Sequence, residues 1–405
     1  MNPASSNHVF RQTVWGLAAA LAAGAFLLAA PQRDVFGQAA PPPSKPAPAE
    51  PATAKPAAAA PAGPSTPATP PAAAPTPAAK PATPPAAKPA TPPAKPAVAP
   101  KADAAKAGPK EEPPPEPENF FVRTKDGWNI FCTFYGPKKG IRRGKDVVPI
   151  IMLHGWGGQG SEYATLATVL QHWGFATIVP DLRGHGRSVS VIRRNPRTNE
   201  DEDKTAKYDS LDFKREKDAD GILNDVEAMK KVLMDKNNKG ELNIEMLTVV
   251  GAEVGTIVAL NWAALDWNWP VMPAFKQGQD VKALILLTPT QTFERMNASQ
   301  ALQHQAISRR LSILIAVGDQ QPRDLSEAKK IHTRLERGRD PIEPEDRLRK
   351  QDLFLILAPT PLQGTKLLDR ALPVGGNIMK FLELRLLNKR EDYPWAERKN
   401  PLGGT

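Results

Sequence analysis

The stretch LTVVGAEVGTIVALNWAA, residues 247–264, places a single carboxylate where a reactive side chain would be expected. A strand-like apolar run is followed by a glycine-flanked turn and a helix-like run, which is the layout of a nucleophile elbow. Such an elbow exposes its central side chain on a sharp, strained turn. The central residue is usually a serine, but here it is Glu253. The chemistry of this position has therefore either changed or been lost.

Two further motifs accompany the elbow in the same chain. They are LHGWGG at 153–158 and PDLRGHGRS at 180–188, and each follows a strand-like apolar run. Together with VGAEVG at 250–255, they resemble, in order and spacing, the α/β-hydrolase superfamily, particularly its esterase, monoglyceride-lipase and serine-aminopeptidase-like branch. The resemblance extends over residues 119–388 and implies an α/β-hydrolase fold, with a mostly parallel sheet covered by helices on both faces.

The resemblance implies a nucleophile on the elbow, a histidine that transfers its proton and an acid that orients the histidine. The matching positions are Glu253, Gln363 in TPLQGTKLL and Gln321 in GDQQP. Aspartate replaces the serine in dehalogenase-like and epoxide-hydrolase-like members, but that mechanism also needs the late histidine to release the covalent intermediate. No histidine follows His332. We therefore interpret the triad as degenerate at all three positions and expect no catalytic residue.

The same resemblance implies an oxyanion hole built from two backbone N–H groups. These groups would belong to Trp156, which follows His154 and Gly155, and to Val254, which follows the elbow residue. The N-terminus of the helix after the elbow favours negative charge. We expect these four residues to line the cleft. The Glu253 carboxylate would either accept hydrogen bonds from the two N–H groups or point to solvent.

An active hydrolase with an unorthodox site remains the alternative function. It would act on an ester, lipid or amide, and its reactive group would be Glu253, Asp319 or a loop serine such as Ser161 or Ser188. A second alternative is an envelope-tethering protein in which the fold serves only as a rigid head.

The elements between the motifs follow the expected alternation of strands and helices. NFFVRT and WNIFCTFYG flank the turn KDG and predict an antiparallel hairpin. The segment between LILLTPT and LSILIAV is predicted to contain a helix near 298–308, but it is too short for the lid of lipase-like members, so we expect little or no cap domain. A charged insertion at 191–217 is either a solvated loop or a partner-binding loop over the cleft.

The N-terminal third does not have the composition of a globular domain. An uncharged apolar run at 13–30 predicts a signal peptide or membrane anchor. Pro, Ala and Lys dominate the next segment, which predicts a disordered, polyproline-type linker. The predicted domains are the signal peptide or anchor at 1–40, the linker at 41–118, the α/β-hydrolase-like domain at 119–388 and a C-terminal tail at 389–405.

Composition limits the cofactors and partners of the chain. The net charge of +10 is spread over the chain without a run of basic and aromatic residues, so we expect no nucleic-acid partner. The single cysteine, Cys132, cannot form an intramolecular disulfide. The sequence contains no motif typical of a metal site, a phosphate-binding loop or a dinucleotide-binding fold, and we expect no cofactor and no metal.

These patterns together predict an exported, catalytically inactive pseudo-hydrolase. Its former active-site cleft would bind a small molecule or a partner protein. The protein would reside in the periplasm or cell envelope, or be anchored in the inner membrane by its N-terminal segment if that segment is not cleaved. The linker would provide a possible contact with the cell envelope.

Overall fold

The structure, a computed structural model, describes residues 112–210, 221–270, 272 and 276–398. The predicted signal peptide or anchor, most of the predicted linker and the end of the predicted tail lie outside these residues. The strands are β1 (Glu118–Arg123), β2 (Trp128–Tyr135), β3 (Pro149–Leu153), β4 (Ala176–Pro180), β5 (Ser190–Arg194), β6 (Asp201–Thr205), β7 (Leu247–Ala252), β8 (Val281–Leu287), β9 (Thr292–Phe293), β10 (Met296–Asn297), β11 (Ser312–Gly318) and β12 (Leu353–Ala358). The helices are α1 (Ala164–His172), α2 (Leu223–Asn238), α3 (Val254–Asn268), α4 (Gln305–Arg309), α5 (Pro322–Glu336), α6 (Arg347–Lys350) and α7 (Val374–Arg385).

The described strands other than β9 and β10 form one sheet in the order β12-β11-β8-β7-β3-β4-β2-β5-β6, with β1 paired to β2. The pairings from β4 to β12 are parallel. β1, β2, β5 and β6 pair antiparallel. The expected α/β fold with a mostly parallel sheet is confirmed, as is the antiparallel hairpin at its start. In the described residues, no helix is long and apolar enough to cross a bilayer.

The central strands are buried along their whole length and are mostly apolar, since helices cover both faces of the sheet. Every residue of β3, β7 and β11 is buried. One core contains Val226 of α2, Ile257 of α3 and Ile331 of α5. The other core contains Leu170 of α1 and Ile378 of α7. The carboxyl ends of the parallel strands meet at one edge of the sheet, where the loops after β3, β7, β11 and β12 come together.

The charged insertion at 191–217 is more regular than a loop where it is described. β5 and β6 pair antiparallel, and β5 pairs with the start of β2, so the insertion extends the sheet. Backbone hydrogen bonds form this ladder, while most of its charged side chains stay exposed. The helix predicted near 298–308 is also shorter than expected. It consists of a 3₁₀ turn at Ala301–Gln303 and the short α4.

The start of the predicted C-terminal tail packs against the domain. The Asn243 side chain donates a hydrogen bond to the carbonyl of Tyr393 (2.9 Å), and Asn237 donates one to the carbonyl of Ala396 (2.9 Å). Arg398 is buried. The packed part of the chain therefore continues beyond residue 388.

A buried arginine fixes the loop after β4. Arg183 donates to Asp225 of α2 through Nε (2.9 Å) and Nη2 (2.7 Å), and to Asp126 in the β1–β2 turn through Nη1 (2.6 Å). Both Arg183 and Asp225 are fully buried, so each charge depends on its partner. This cluster joins the RGHG segment to two other elements and holds it near the cleft.

Candidate functional site

The elbow predicted from the sequence is present at the end of β7. Glu253 has φ 49° and ψ −115°, a conformation that non-glycine residues rarely adopt and that costs about 1–3 kcal/mol. The flanking glycines make the turn possible. A Cβ on Gly251 would lie 2.5 Å from the carbonyl oxygen of Gly255, and a Cβ on Gly255 would clash with the carbonyl oxygen of Leu153. Packing of the strand against the helix therefore fixes this turn, whatever side chain it carries.

The Glu253 side chain is exposed, and its carboxylate lies at the mouth of the cleft between the loops that follow β3 and β12. A Cβ on Gly155 would come within 2.5 Å of Oε2, and a Cβ on Gly364 within 2.6 Å of Oε1. The two glycines thus leave the space that the carboxylate fills. Within the described residues, no hydrogen bond or ion pair reaches this carboxylate, including from the Val254 amide at the start of α3. Of the two expected arrangements, the structure therefore has the carboxylate exposed to solvent beside Gly155, and not hydrogen-bonded to the two expected N–H groups.

The surroundings of Glu253 favour its neutral form. Burial raises the pKa of this carboxyl, the charges of Glu162 and Asp324 raise it further, and Lys366 opposes them. Glu162 is fixed at its place because it accepts hydrogen bonds from the Gln159 backbone N–H (3.1 Å) and from the Thr365 hydroxyl (2.6 Å). The cleft therefore carries an excess of negative charge around an unpaired carboxylate.

Gln363, at the expected histidine position, forms hydrogen bonds that connect the loop after β12 to the ends of β8 and β11, an arrangement called the clamp below. Its Oε1 accepts hydrogen bonds from the Thr288 hydroxyl (2.8 Å) and from the Gly318 N–H (3.2 Å), and its Nε2 donates to the Gly318 carbonyl (3.1 Å). Thr288 in turn accepts a hydrogen bond from the Gly364 N–H (2.8 Å). The amide thus joins the loop after β12 to the ends of β8 and β11. A carboxamide does not ionise near neutral pH, so it cannot carry a proton as a histidine does, and Gln363 instead connects these segments through its hydrogen bonds.

The other residues that the sequence analysis considered for catalysis do not come together as an alternative catalytic site. Gln321 is exposed at the start of α5 and makes no side-chain capping bond, and Asp319 is also exposed. Ser188 is fully buried, and its hydroxyl accepts a hydrogen bond from the Phe131 N–H (2.8 Å). Ser161 lies exposed in a 3₁₀ turn. The structure thus brings Glu253 and Gln363 to one cleft, but it forms no hydrogen bond from either to Gln321 within the described residues.

Two buried histidines near the cleft have structural roles. His154 accepts a hydrogen bond from the Leu182 N–H at Nε2 (2.9 Å), so its Nδ1 donates to the Gly155 carbonyl (2.7 Å). His185 contacts the Arg183 carbonyl through Nδ1 (2.9 Å). Burial lowers the pKa of both rings, that of His185 to about 4. Both rings are therefore neutral at physiological pH, and His154 uses both of its nitrogens in fixing loops.

An aromatic cluster that the sequence analysis missed lies beside the oxyanion loop. Tyr208 stacks on His185 at 4.4 Å between ring centroids, and Trp156 packs edge-on against both rings. Phe293 packs against Trp156 at 5.2 Å. Tyr208 comes from the charged insertion and Phe293 from β9, so neither stands near a recognisable motif. In the described part of the chain, no group of three or more His, Cys, Asp or Glu side chains could hold a metal ion.

The raised pKa of Glu253 sets the sign of a pH effect. The folded protein binds this proton more tightly than the unfolded chain does, so ionisation at higher pH lowers stability. We expect Glu253→Gln, which cannot ionise, to exceed the wild type in free energy of unfolding above about pH 5, by less than about 1 kcal/mol because the site is partly exposed. Below about pH 4 the difference should vanish. Urea denaturation across this range measures it, and a wild type more stable than the variant at pH 7 would contradict it.

The clamp formed by Gln363 predicts a second stability effect. Gln363→Ala removes three hydrogen bonds and leaves Thr288 and Gly318 without their partner, so the free energy of unfolding should fall by about 1–3 kcal/mol. Gln321→Ala is the matched control, because Gln321 is exposed, and its effect should stay within about 0.5 kcal/mol. Urea denaturation at pH 7 compares the two variants. Equal losses in both would remove the structural role assigned to Gln363.

Comparisons with known proteins match part of the chain to a known fold family. Residues 148–311 match the family model described as the α/β-hydrolase fold. The chain is 37% identical over 71 residues to a non-heme chloroperoxidase of Burkholderia pyrrocinia, covering 18% of this chain and 23% of that protein. The chain thus spans about a quarter of the length of this relative.

Two solved structures match the chain at low sequence identity. An α/β serine hydrolase without a lid from Xanthomonas campestris is 14% identical, with a TM-score of 0.39 over 67% of this chain and 95% of that chain. Dienelactone hydrolase from Anabaena variabilis is 15% identical, with a TM-score of 0.43 over 67% of this chain and 99% of that chain. The strand order, the elbow and the matching family model together identify the described domain as an α/β-hydrolase fold.

Proposed function

We propose that this α/β-hydrolase-fold protein is a non-catalytic pseudo-hydrolase that binds a ligand or partner through its former active-site cleft. The single observation that supports this most is the clamp at Gln363. A hydrolase of this fold needs a mobile proton carrier at that position. Here an amide is held by Thr288 and Gly318 instead.

Glu253 alone does not supply the missing steps. A carboxylate that attacked a substrate carbon would form a covalent ester, and a base would then have to activate water to release it. The neutral rings of His154 and His185 are buried in the loops that they hold. Neither ring has a hydrogen bond to Glu253. A covalent intermediate on Glu253 would therefore not turn over.

The charge in the cleft favours a particular kind of ligand group. Glu253 lacks a partner within the described residues, and Glu162 and Asp324 add negative charge around it. A ligand that presents an N–H donor or a cation would pair with this carboxylate through a charge-assisted hydrogen bond. Replacing Glu253 with Gln should lower the binding affinity for such a ligand, because it removes the negative charge.

We further propose that the protein is exported, with this domain held by the predicted linker in the periplasm or cell envelope. The support is the apolar run at 13–30 followed by the Pro, Ala and Lys segment at 41–118. Recovery of the full chain in the cytoplasmic fraction of fractionated cells would contradict export.

Hydrolysis of acyl esters tests the proposed loss of catalysis. Full-length wild type, Glu253→Gln and Glu253→Ser are incubated with p-nitrophenyl esters of short and long acyl chains. We expect all three rates to stay within about twofold of the buffer rate, because neither glutamate nor serine has a base at position 363. Circular dichroism confirms that each variant is folded. Turnover by the wild type that disappears in Glu253→Gln would establish an active, unorthodox site and overturn the proposal.

A further inference from the structure

Helix α5 borders a basic groove that is separate from the elbow cleft. The groove has a volume of about 780 Å³, within the usual range of ligand sites. Its polar lining includes two hydroxyls and four cations. They are Ser326, Lys329, Lys330, Thr333, Arg334 and Arg337.

The position of these residues on α5 follows from helical spacing. Ala328, Ile331 and Leu335 form the buried stripe that packs into the core. Lys330 and Arg337 project from the opposite side, seven residues apart, and therefore lie one above the other on the same face. Both side chains are exposed. The core thus fixes the helix while its outer face presents the groove.

The positive charge of this face is not neutralised by neighbouring acids. Within the described residues, Lys329, Lys330 and Arg337 form no ion pair, and Arg334 donates only to the Ser299 carbonyl (3.2 Å). The Glu327 carboxylate is already occupied, because it accepts hydrogen bonds from the Gln291 N–H (2.6 Å) and the Thr290 hydroxyl (3.1 Å).

The chemistry of the lining selects one class of ligand. Lysine and arginine offer only hydrogen-bond donors, and the hydroxyls of Ser326 and Thr333 can donate as well. Phosphate oxygens accept several charge-assisted hydrogen bonds at once, and guanidinium groups match them in a bidentate fork. Four cations along one groove exceed what a single phosphate group needs. An extended ligand with several phosphates would contact them together.

We propose that the α5 groove binds a small polyanion with two or more linked phosphate groups. The site is independent of the proposed cleft function, since none of its cations lies in the cleft. Binding is driven by charge and is therefore strongest at low salt, as screening weakens exposed ion pairs.

Isothermal titration calorimetry with inorganic tripolyphosphate tests this site on the full-length protein at pH 7. The groove variant is Lys330→Gln/Arg337→Gln. The matched control is Lys231→Gln/Lys239→Gln, which removes the same charge from exposed positions on and next to α2. We expect the wild type and the control to bind with dissociation constants within about twofold of each other, and the groove variant to bind at least about tenfold more weakly.

Three outcomes would overturn the proposal. Wild-type protein that does not bind the probe shows that the groove is no polyphosphate site. Equal weakening in the groove variant and the control shows an effect of net charge alone. Equal affinity in all three proteins places the probe elsewhere, for example on the lysines of the linker. All four substituted side chains are exposed, so we expect every variant to fold. Thermal unfolding of each variant without the probe checks this.

Discussion

The backbone turn at Glu253 is the constraint on which the site depends. Its left-handed φ is fixed by close packing of β7 against α3, where Gly251 and Gly255 leave no room for a Cβ. That packing is needed for the sheet to bury its central strands, whether or not the elbow carries a nucleophile. Fold and chemistry are therefore separable here: the turn keeps presenting one side chain to the cleft, and the identity of that side chain decides what the cleft can do.

The loop after β12, which contains Gln363, shows the same separation of fold and chemistry. In an active enzyme of this fold, the residue after the last strand must move a proton and so must stay free to change its partners. Gln363 is instead fixed to Thr288 and Gly318, and its neighbour Gly364 lies against the Glu253 carboxylate. In the function that we propose, hydrogen bonds that stabilise the strand ends occupy the position of the reactive group. Within the described chain, no hydrogen bond or ion pair reaches the Glu253 carboxylate in this arrangement.

Much of the fold was predictable from the sequence, and the site only in part. The apolar runs of β3, β7 and β11 predicted buried parallel strands, and the glycines of the elbow predicted its turn. The pairing of β5 with β6 was not predicted, because their charged residues lack the apolar pattern of a strand. Backbone hydrogen bonds form this pair without burial of the side chains. The clamp at Gln363 and the ring of Tyr208 depend on contacts between segments far apart in sequence, which no local pattern records.

Covalent labelling of Glu253 tests the loss of chemistry most directly. The full-length protein is incubated with a primary alkyl halide. If the carboxylate attacked the carbon and displaced the halide, an ester would accumulate on Glu253, because no base would release it. A non-catalytic site predicts that, beyond one equivalent per chain, the wild type releases no more halide than Glu253→Gln, and that any label found by peptide mass spectrometry stays on the protein. Halide release by the wild type over many equivalents, lost in Glu253→Gln, would contradict this, because it would show that the ester forms on Glu253 and is then hydrolysed.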